Sequence, residues 1–235
     1  DFTVAQGCAY FAAEGRLFRQ PLHQTRAQSI TPEDGGQCSS PVVSPDGRYL
    51  LYVHSHQGND VLALVDTAGE NEPTTLIGGH DFFMQPCWNP RENQVAWIAW
   101  DHPSMPWDSS ALYLGVLTPG QPLPELASQK IMVGDPCGDI AVFQPAFSPD
   151  GRYLSYTSNE NGWFNLHLLD LSSDERTILV AEEAEHGLAA WVHGMRTQAW
   201  TEDGKSLYFL RSREGFTSLA RFDLQEQTLH EVQGE

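Results

Sequence analysis

A short acidic segment with one histidine carries side chains that could bind a ligand. The string EEAEHG brings Glu182, Glu183, Glu185 and His186 within five residues. A pair of carboxylates can hold a cationic group, such as the free N-terminus of a peptide, through charge-assisted hydrogen bonds. The string is equally typical of a solvated acidic turn, or of one or two helical turns within residues 181–191. Both interpretations stay open at the level of sequence.

A second group of candidate residues lies in the string WDHPSMPW, residues 100–107. Pro103 and Pro106 predict a loop, since proline donates no ladder hydrogen bond and breaks helices. The flanking strings QVAWIAW and ALYLGVL predict strands. We expect Trp100 to anchor the loop and the other side chains to face a partner. These outward residues are Asp101, His102, Met105, Trp107 and Asp108.

Two further loops carry candidate contact residues. The string GHDFF places His80, Asp81 and Phe82 together, and the first two predict either an orienting hydrogen bond within the fold or a contact to a partner domain. Trp163 lies in a predicted loop, so core and interface roles are both open for it. The remaining strand tryptophans are assigned to the core; they are Trp88, Trp97 and Trp200.

The sequence contains none of the short motifs that mark common catalytic sites. It has no G-x-S-x-G nucleophile elbow, no HExxH, no P-loop and no GxGxxG. His54 and His56 stand two apart in a predicted loop, a spacing that allows a metal site without favouring one. We therefore expect no catalytic residue, no metal and no cofactor, and we expect the chain to be inactive alone.

Composition excludes several classes of partner. The formal net charge of −18 argues against nucleic acid and against anionic membrane surfaces, both of which need a basic protein surface. No apolar run approaches the length of a membrane span, and no signal peptide opens the chain. Four cysteines without CxxC spacing predict buried free thiols in a reducing cytoplasm.

Internal repeats predict the fold. Four segments align on the turn residues Ser44, Asn89, Ser148 and Thr201, which lie 45, 59 and 53 residues apart by subtraction. Each unit reads as a strand, a turn such as SPDG, and three more strands, which is typical of a propeller blade. A fainter copy begins at Gly7 and lacks the first part of the unit. We therefore predict an all-β fold, a single β-propeller domain of about five four-stranded blades, with the first blade missing its inner strand. The predicted blades are residues 1–32, 33–79, 80–133, 134–181 and 182–235.

The antiparallel strand order sorts the loops onto two faces. If the strands of a blade are a, b, c and d, the a–b and c–d turns emerge on one face and the b–c and d–a loops on the other. The first face carries tight polar turns. The second carries WDHPSMPW, GHDFF, NGW and EEAEHG, so aromatic, histidine and acidic residues are predicted to crowd one face. Such a patch is typical of an interface.

Several strings together resemble one enzyme family. WIAWDHPSMPWDSSALYLGVL is similar to a segment of bacterial serine peptidases of the prolyl oligopeptidase (S9) family, in the acylaminoacyl-peptidase and dipeptidyl-aminopeptidase-like branch. The strings GHDFF, FQPAFSPDGRYLSYTS, NGWFNLHLLDL and EEAEHGLAAWVHGM match in the same order. The usual EEAEFG of the family is EEAEHG here, with His186 in place of phenylalanine.

The resemblance implies a two-part enzyme, in which a propeller caps an α/β-hydrolase domain holding a Ser-Asp-His triad and limits access to short peptides. This chain resembles only the middle of that propeller and opens at Asp1 without methionine, so we expect a piece of a longer protein, with the hydrolase domain outside residues 1–235. The resemblance makes that domain and a short peptide the expected partners. The blades at the two ends would then close on each other, pair with a second copy of the chain, or leave open edges.

Two other functions are compatible with the sequence. A stand-alone propeller of the TolB-like or WD40-like kind would use the same face as a non-enzymatic interaction scaffold. A carbohydrate-binding propeller would stack sugars on Trp107 and Trp163.

Overall fold

The computed structural model describes residues 1–232, which form five four-stranded antiparallel sheets and contain no helix. The first strands of successive sheets contact one another in chain order, so the sheets are blades arranged around an axis. The predicted all-β propeller of five blades is confirmed. No helix long and apolar enough to cross a bilayer occurs within residues 1–232.

The strand bounds follow the blades in order. Blade 1 contains β1 (Phe2–Ala5), β2 (Cys8–Ala13), β3 (Arg16–Pro21) and β4 (Gln28–Ser29). Blade 2 contains β5 (Gln37–Val43), β6 (Tyr49–His56), β7 (Asn59–Asp66) and β8 (Thr74–Ile77). Blade 3 contains β9 (Phe82–Trp88), β10 (Gln94–Trp100), β11 (Ala111–Thr118) and β12 (Glu125–Gly134). Blade 4 contains β13 (Val142–Phe147), β14 (Tyr153–Ser158), β15 (Asn165–Asp170) and β16 (Glu175–Val180). Blade 5 contains β17 (Gln198–Trp200), β18 (Ser206–Arg213), β19 (Phe216–Asp223) and β20 (Thr228–Val232).

The first blade corrects one prediction, because it has its inner strand. Residues Phe2–Ala5 form β1, which pairs with β2 and contacts β5 of the next blade. The connection from β1 to β2 is a two-residue turn, Gln6–Gly7, with φ values of 49° and 73°. This hairpin is shorter than the SPDG turn of the other blades, so an alignment on that turn misses the strand in front of it.

The repeated a–b turn has the same hydrogen bonds in blades 2 and 4. The hydroxyl of Ser44 donates to Asp46 Oδ1 at 2.7 Å and accepts from the N–H of Tyr49 at 3.0 Å. Ser148 makes the equivalent bonds at 2.5 and 2.9 Å. The serine and aspartate side chains therefore satisfy the turn, which explains why SPDG recurs.

Apolar clusters join neighbouring blades. The four clusters of buried residues bridge blades 1 and 2, 2 and 3, 3 and 4, and 4 and 5. Within the described residues none of these clusters joins blade 5 to blade 1. We call the boundary between blade 5 and blade 1 the seam. Exposed apolar side chains lie on these two blades; they are Phe2, Val4, Leu210 and Leu219. The propeller is therefore held together by four packed interfaces with an unpacked seam.

The inner strands are also linked by hydrogen bonds that pass from blade to blade. Ser40, Gln85 and Gln144 each have positive φ, each precede a proline and each lie at a bulge of the inner strand. The N–H of Ser40 donates to the Asp1 carboxylate at 2.6 Å, and that of Gln144 donates to Gln85 Oε1 at 2.6 Å. The N–H of Thr197 donates to Gln144 Oε1 at 2.5 Å. The first two links satisfy backbone donors that the bulges remove from the sheet, and the third satisfies the N–H of Thr197 just before β17.

The cysteines differ in exposure from the prediction of four buried thiols. All four are free, but only Cys8 is fully buried, and Cys137 is exposed. Burial raises the pKa of the Cys38 and Cys87 thiols to about 12. Those two thiols stay protonated and chemically unreactive near neutral pH.

Candidate functional site

The loops of the second face are tied together by polar contacts at blade 3. His80, in the loop between β8 and β9, contacts Asp101 Oδ2 through Nδ1 at 2.9 Å. Its Nε2 lies 2.8 Å from the Tyr113 hydroxyl. Because the carboxylate can only accept, Nδ1 carries the proton and Tyr113 donates to Nε2. Burial raises the pKa of Tyr113 to about 12, so its hydroxyl stays a donor. The chain Tyr113–His80–Asp101 fixes the base of the WDHPSMPW loop.

A second histidine–aspartate pair, His102 with Asp81, joins the same two loops. Asp81 Oδ2 accepts from both the backbone N–H and Nδ1 of His102, at 2.8 and 3.0 Å. The backbone hydrogen bond, followed by the one from the ring, lowers the pKa of the Asp81 carboxyl. The ring of Phe82 stacks on Trp100 with centroids 5.0 Å apart, and it also contacts His102 at 4.8 Å. Trp100 is buried and anchors the loop as expected.

The far end of the WDHPSMPW loop is closed by its own hydrogen bonds. The backbone N–H of Met105 donates to Asp108 Oδ2 at 3.2 Å, and the N–H of Asp108 donates back to the Met105 carbonyl at 2.9 Å. Ser109 is buried, and its hydroxyl donates to the Asp135 carbonyl at 2.6 Å. Asp108 therefore shapes the loop, whereas Met105 projects with 47% of its surface exposed.

The acidic segment is organised around an ion pair within blade 5. Arg211 of β18 donates to both carboxylate oxygens of Glu182, from Nε to Oε1 at 2.6 Å and from a terminal nitrogen to Oε2. His186 Nε2 lies 2.8 Å from Glu182 Oε1, and its Nδ1 accepts from the N–H of Leu166 at 3.1 Å. The backbone donor therefore leaves the proton of the neutral ring on Nε2, where it faces the carboxylate.

These contacts shift two pKa values. Arg211, assisted by His186, lowers the pKa of Glu182 to about 2. Burial lowers the pKa of His186, which has only 1% of its surface exposed. Glu182 is charged, and the guanidinium of Arg211 compensates that charge. His186 is buried and its ring packs against that of Phe209, with ring centroids 4.7 Å apart.

The other two glutamates of this segment have different surroundings. Glu185 Oε2 accepts from the N–H of Phe164 at 2.8 Å, and the Glu185 backbone forms an isolated bridge with Ser212. Glu183 is exposed. Residues 181–191 form no helix, so the expected helical turns are absent from this described segment. Of the acidic residues, Glu183 is the one that a ligand can reach most directly.

An apolar patch lies where the loops of blades 3, 4 and 5 meet. The rings of Trp107 and Trp191 contact each other with centroids 4.3 Å apart, although 84 residues separate them by subtraction. Trp107 is half-buried against the core of blades 3 and 4, whereas Trp191 is 71% exposed. We call these two residues, the exposed apolar side chains of the same two loops and Trp163 in the b–c loop of blade 4 the apolar rim. The apolar rim consists of Met105, Trp107, Trp163, Leu188, Trp191 and Val192.

The segment that carries Trp191 also covers one mouth of the axial cavity. The ring of His193 contacts the Ser40 hydroxyl at 2.9 Å, so this part of the loop reaches blade 2. Gly194, Met195 and Arg196 line the axial cavity, which has a volume of about 390 Å³ and is also lined by stretches of β1, β5, β9, β13 and β17. The loop between β16 and β17 therefore contacts blades 2, 3, 4 and 5.

Several of these residues are not among those that the sequence predicts. Trp191 and Val192 are adjacent large apolar residues in a polar loop, and that was the available signal. Arg211 carried no local signal, because its partner Glu182 lies 29 residues earlier. The chemistry that this face supports is recognition: apolar contact, an exposed carboxylate and a rigid loop.

Comparison with solved structures identifies the same fold in larger proteins. A puromycin-hydrolyzing peptidase from Mycobacterium tuberculosis superposes with a TM-score of 0.85 at 22% sequence identity, over 99% of this chain and 37% of that chain. A puromycin hydrolase superposes with a TM-score of 0.86 at 24% identity, over 98% of this chain and 37% of that one. TolB from Acinetobacter baumannii gives a TM-score of 0.66 at 15% identity, over 96% and 52% of the two chains.

These likenesses establish the fold as that of the propeller part of the peptidase structures. The chain spans 37% of the length of the two peptidases it superposes on. No protein family model matches the sequence, and no curated protein sequence matches it.

Proposed function

We propose that this chain is the propeller region of an S9-like serine peptidase that acts on short peptides. The observation that carries the proposal is the superposition of 99% of the chain on part of a puromycin-hydrolyzing peptidase, with a TM-score of 0.85. The strings WDHPSMPW, GHDFF and EEAEHG, which resemble that family, all fall on one face of the propeller.

The apolar rim is the proposed contact to the α/β-hydrolase domain. Its residues come from three loops that are braced by internal hydrogen bonds, so little conformational entropy is lost when a partner covers them. Trp191 and Val192 expose 71% and 62% of their surfaces, which is characteristic of side chains that a partner buries. Glu185 positions this surface by holding the backbone of Phe164, next to Trp163.

The remaining site residues are assigned to the substrate side. Glu183 is the carboxylate proposed to meet the cationic N-terminus of a peptide, with Glu182 holding Arg211 in place beside it. His80, Asp101, Asp81 and His102 are positioning residues that fix the WDHPSMPW loop at the edge of the chamber. The reaction would be acyl transfer from the peptide to a serine of the hydrolase domain and then to water. A cytoplasmic location accompanies this proposal.

The coding sequence beyond Glu235 gives the most direct test. A downstream G-x-S-x-G, followed by an aspartate and a histidine, supports the proposal. A stop codon shortly after Glu235 contradicts it and favours a stand-alone propeller.

Activity provides the second test. The protein that includes such a domain is expected to hydrolyse aminoacyl chromogenic amides and puromycin, whereas residues 1–235 alone show no turnover. Trp191→Ala in the longer protein is expected to weaken docking of the hydrolase domain, with Ile178→Ala on exposed β16 as the matched control. Turnover by residues 1–235 that survives Glu182→Gln and Glu183→Gln would contradict the capping role.

A second candidate is a TolB-like interaction scaffold. A putative TolB from Agrobacterium tumefaciens superposes with a TM-score of 0.66 at 12% identity, and 76% of that chain is covered. In that case the apolar rim would bind a separate protein. The downstream reading frame distinguishes the two proposals.

A further inference from the structure

Three potential metal ligands meet beside β6, away from the apolar rim. Asp34 lies in the connection between β4 and β5, and His54 and His56 lie in β6, which the sequence analysis had assigned to a loop. One ligand atom from each residue lies within 4.8 Å of the other two. The Nε2 atom of His54 is 3.1 Å from Asp34 Oδ2, and the two imidazole rings are 6.1 Å apart between centroids.

The local structure explains why these side chains converge. Side chains two apart in a strand project from the same face, so β6 presents both histidines together. The Asp34 carboxylate is oriented by the N–H of Gly36, which donates to Oδ1 at 2.9 Å and leaves Oδ2 directed at His54. A carboxylate that binds a metal is commonly held in position by a hydrogen bond to the oxygen that does not bind the ion.

Gly36 also provides the space for this arrangement. A Cβ atom at position 36 would overlap His54 Nε2 and lie 3.1 Å from Asp34 Oδ1. Gly36 does not have positive φ, so its backbone conformation does not require glycine. The absence of a side chain there is explained by the position of the His54 ring.

We propose that Asp34, His54 and His56 bind a divalent ion of the zinc type. Two imidazoles and one carboxylate are a common set of three protein ligands for Zn²⁺, with a fourth position left for water or a small ligand. Asp34 and His54 also line a cavity of about 240 Å³ with Glu72 and Cys38, and this cavity leaves room for that fourth group. The ion would tie the β4–β5 connection to blade 2. The proposal is independent of the peptidase function, because it shares no residue with the apolar rim.

Metal titration of the purified 235-residue chain, stripped with a chelator and dialysed, tests the site. We expect Zn²⁺ to bind with one equivalent per chain by calorimetry, and Co²⁺ to give the absorption bands of a four-coordinate site. Loss of His56 or of the Asp34 charge, in His56→Ala and Asp34→Asn, is expected to weaken Zn²⁺ binding at least ~100-fold. His23→Ala, which removes an exposed histidine in the β3–β4 connection, is the matched control and should bind as the parent chain does.

Gly36→Ala is the sharper variant, because it keeps all three ligands. The added methyl group displaces the His54 ring, so at least ~10-fold weaker Zn²⁺ binding is expected while circular dichroism reports an unchanged fold. Parent-like binding by Gly36→Ala and His56→Ala would overturn the proposal. So would the absence of saturable binding by the parent chain, or an equal loss in His23→Ala.

Discussion

At the scale of single residues, Glu182 shows how a carboxylate that looks available in the sequence is already engaged in the fold. Its two oxygens are occupied by Arg211 and His186. A bidentate guanidinium–carboxylate pair is among the stronger polar contacts in proteins. The pair therefore stabilises blade 5, and the exposed Glu183 is left for a ligand.

This pair predicts an acid-sensitive stability. The pKa of Glu182 falls from 4.5 to about 2 on folding, so the unfolded chain binds the proton more tightly. The stabilisation is complete above pH 4.5 and is lost as the pH falls from 4.5 towards 2. His186, whose pKa is lowered by burial, acts in the same direction below its ordinary value of 6.5.

Thermal melts across pH check this prediction. We expect Glu182→Gln to have a lower Tm than the parent at pH 7 and a flatter decline of Tm between pH 4.5 and 2. The exposed neighbour gives the control, since Glu183→Gln should follow the parent profile. A parallel decline in Glu182→Gln and the parent would rule out this source of acid sensitivity.

Trp107 and Trp191 of the apolar rim are predicted to differ in their effect on stability. Trp107 is half-buried against the core of blades 3 and 4, so Trp107→Ala is expected to lower the free energy of unfolding by about 3 kcal/mol. Trp191 is 71% exposed, and Trp191→Ala should cost under ~1 kcal/mol. Denaturant unfolding of the two variants measures the difference. Equal losses would mean that Trp191 belongs to the core.

At the scale of the strand, the two faces of β18 provide a direct test of the unpacked seam. Phe209 is buried against blade 4, whereas Leu210, the next residue, is 37% exposed on the seam side. Phe209→Ala is expected to destabilise the chain by about 3–5 kcal/mol. Leu210→Ala should cost under ~1 kcal/mol.

Urea unfolding of both β18 variants decides whether the seam is packed. If Leu210→Ala is as destabilising as Phe209→Ala, blade 5 is covered in solution by blade 1 or by a second copy of the chain. A dependence of that loss on protein concentration would identify the second copy.

The strands that sequence predicts well are those specified by local chemistry. Ser44 and Ser148 each begin a turn whose hydrogen bonds join residues no more than five apart, so the repeat can be recognised in the sequence. The strand β1 was missed because its Gln6–Gly7 turn lacks that signature. The sequence predicts a loop at His56 because the end of β6 is polar. The strand nevertheless continues through His56, and a tight turn follows at Gly58.

The candidate site was predictable only in part, because its contacts join distant positions. Strand alternation alone sorts the loops, so the sequence predicts that aromatic, histidine and acidic residues lie on one face. Which residues touch depends on how blades pack. Trp107 meets Trp191, and Asp34 meets His54, through blade positions that no local pattern encodes.

At the scale of the whole molecule, hydrogen-bonded links between inner strands accompany the apolar packing between blades. Gln144 lies at the centre of this system, since its N–H donates to Gln85 and its Oε1 accepts from the N–H and the hydroxyl of Thr197. It is 5% exposed, so water cannot readily replace these bonds. The same bulge recurs in blades 2, 3 and 4, and the links join blade 1 to 2, blade 3 to 4 and blade 4 to 5.

Replacing Gln144 should weaken the hydrogen-bonded links between inner strands without creating a cavity. In Gln144→Leu the volume is nearly conserved, but the buried N–H of Thr197 loses its acceptor, which costs about 1–3 kcal/mol. For a chain of this size the Tm should fall by roughly 2–12 °C. Gln129→Leu, at an exposed position of β12, should leave Tm within ~1 °C. Hydrogen exchange should locate the loss at β13 and β17, whereas a uniform increase across all five blades would mean that Gln144 acts only through packing.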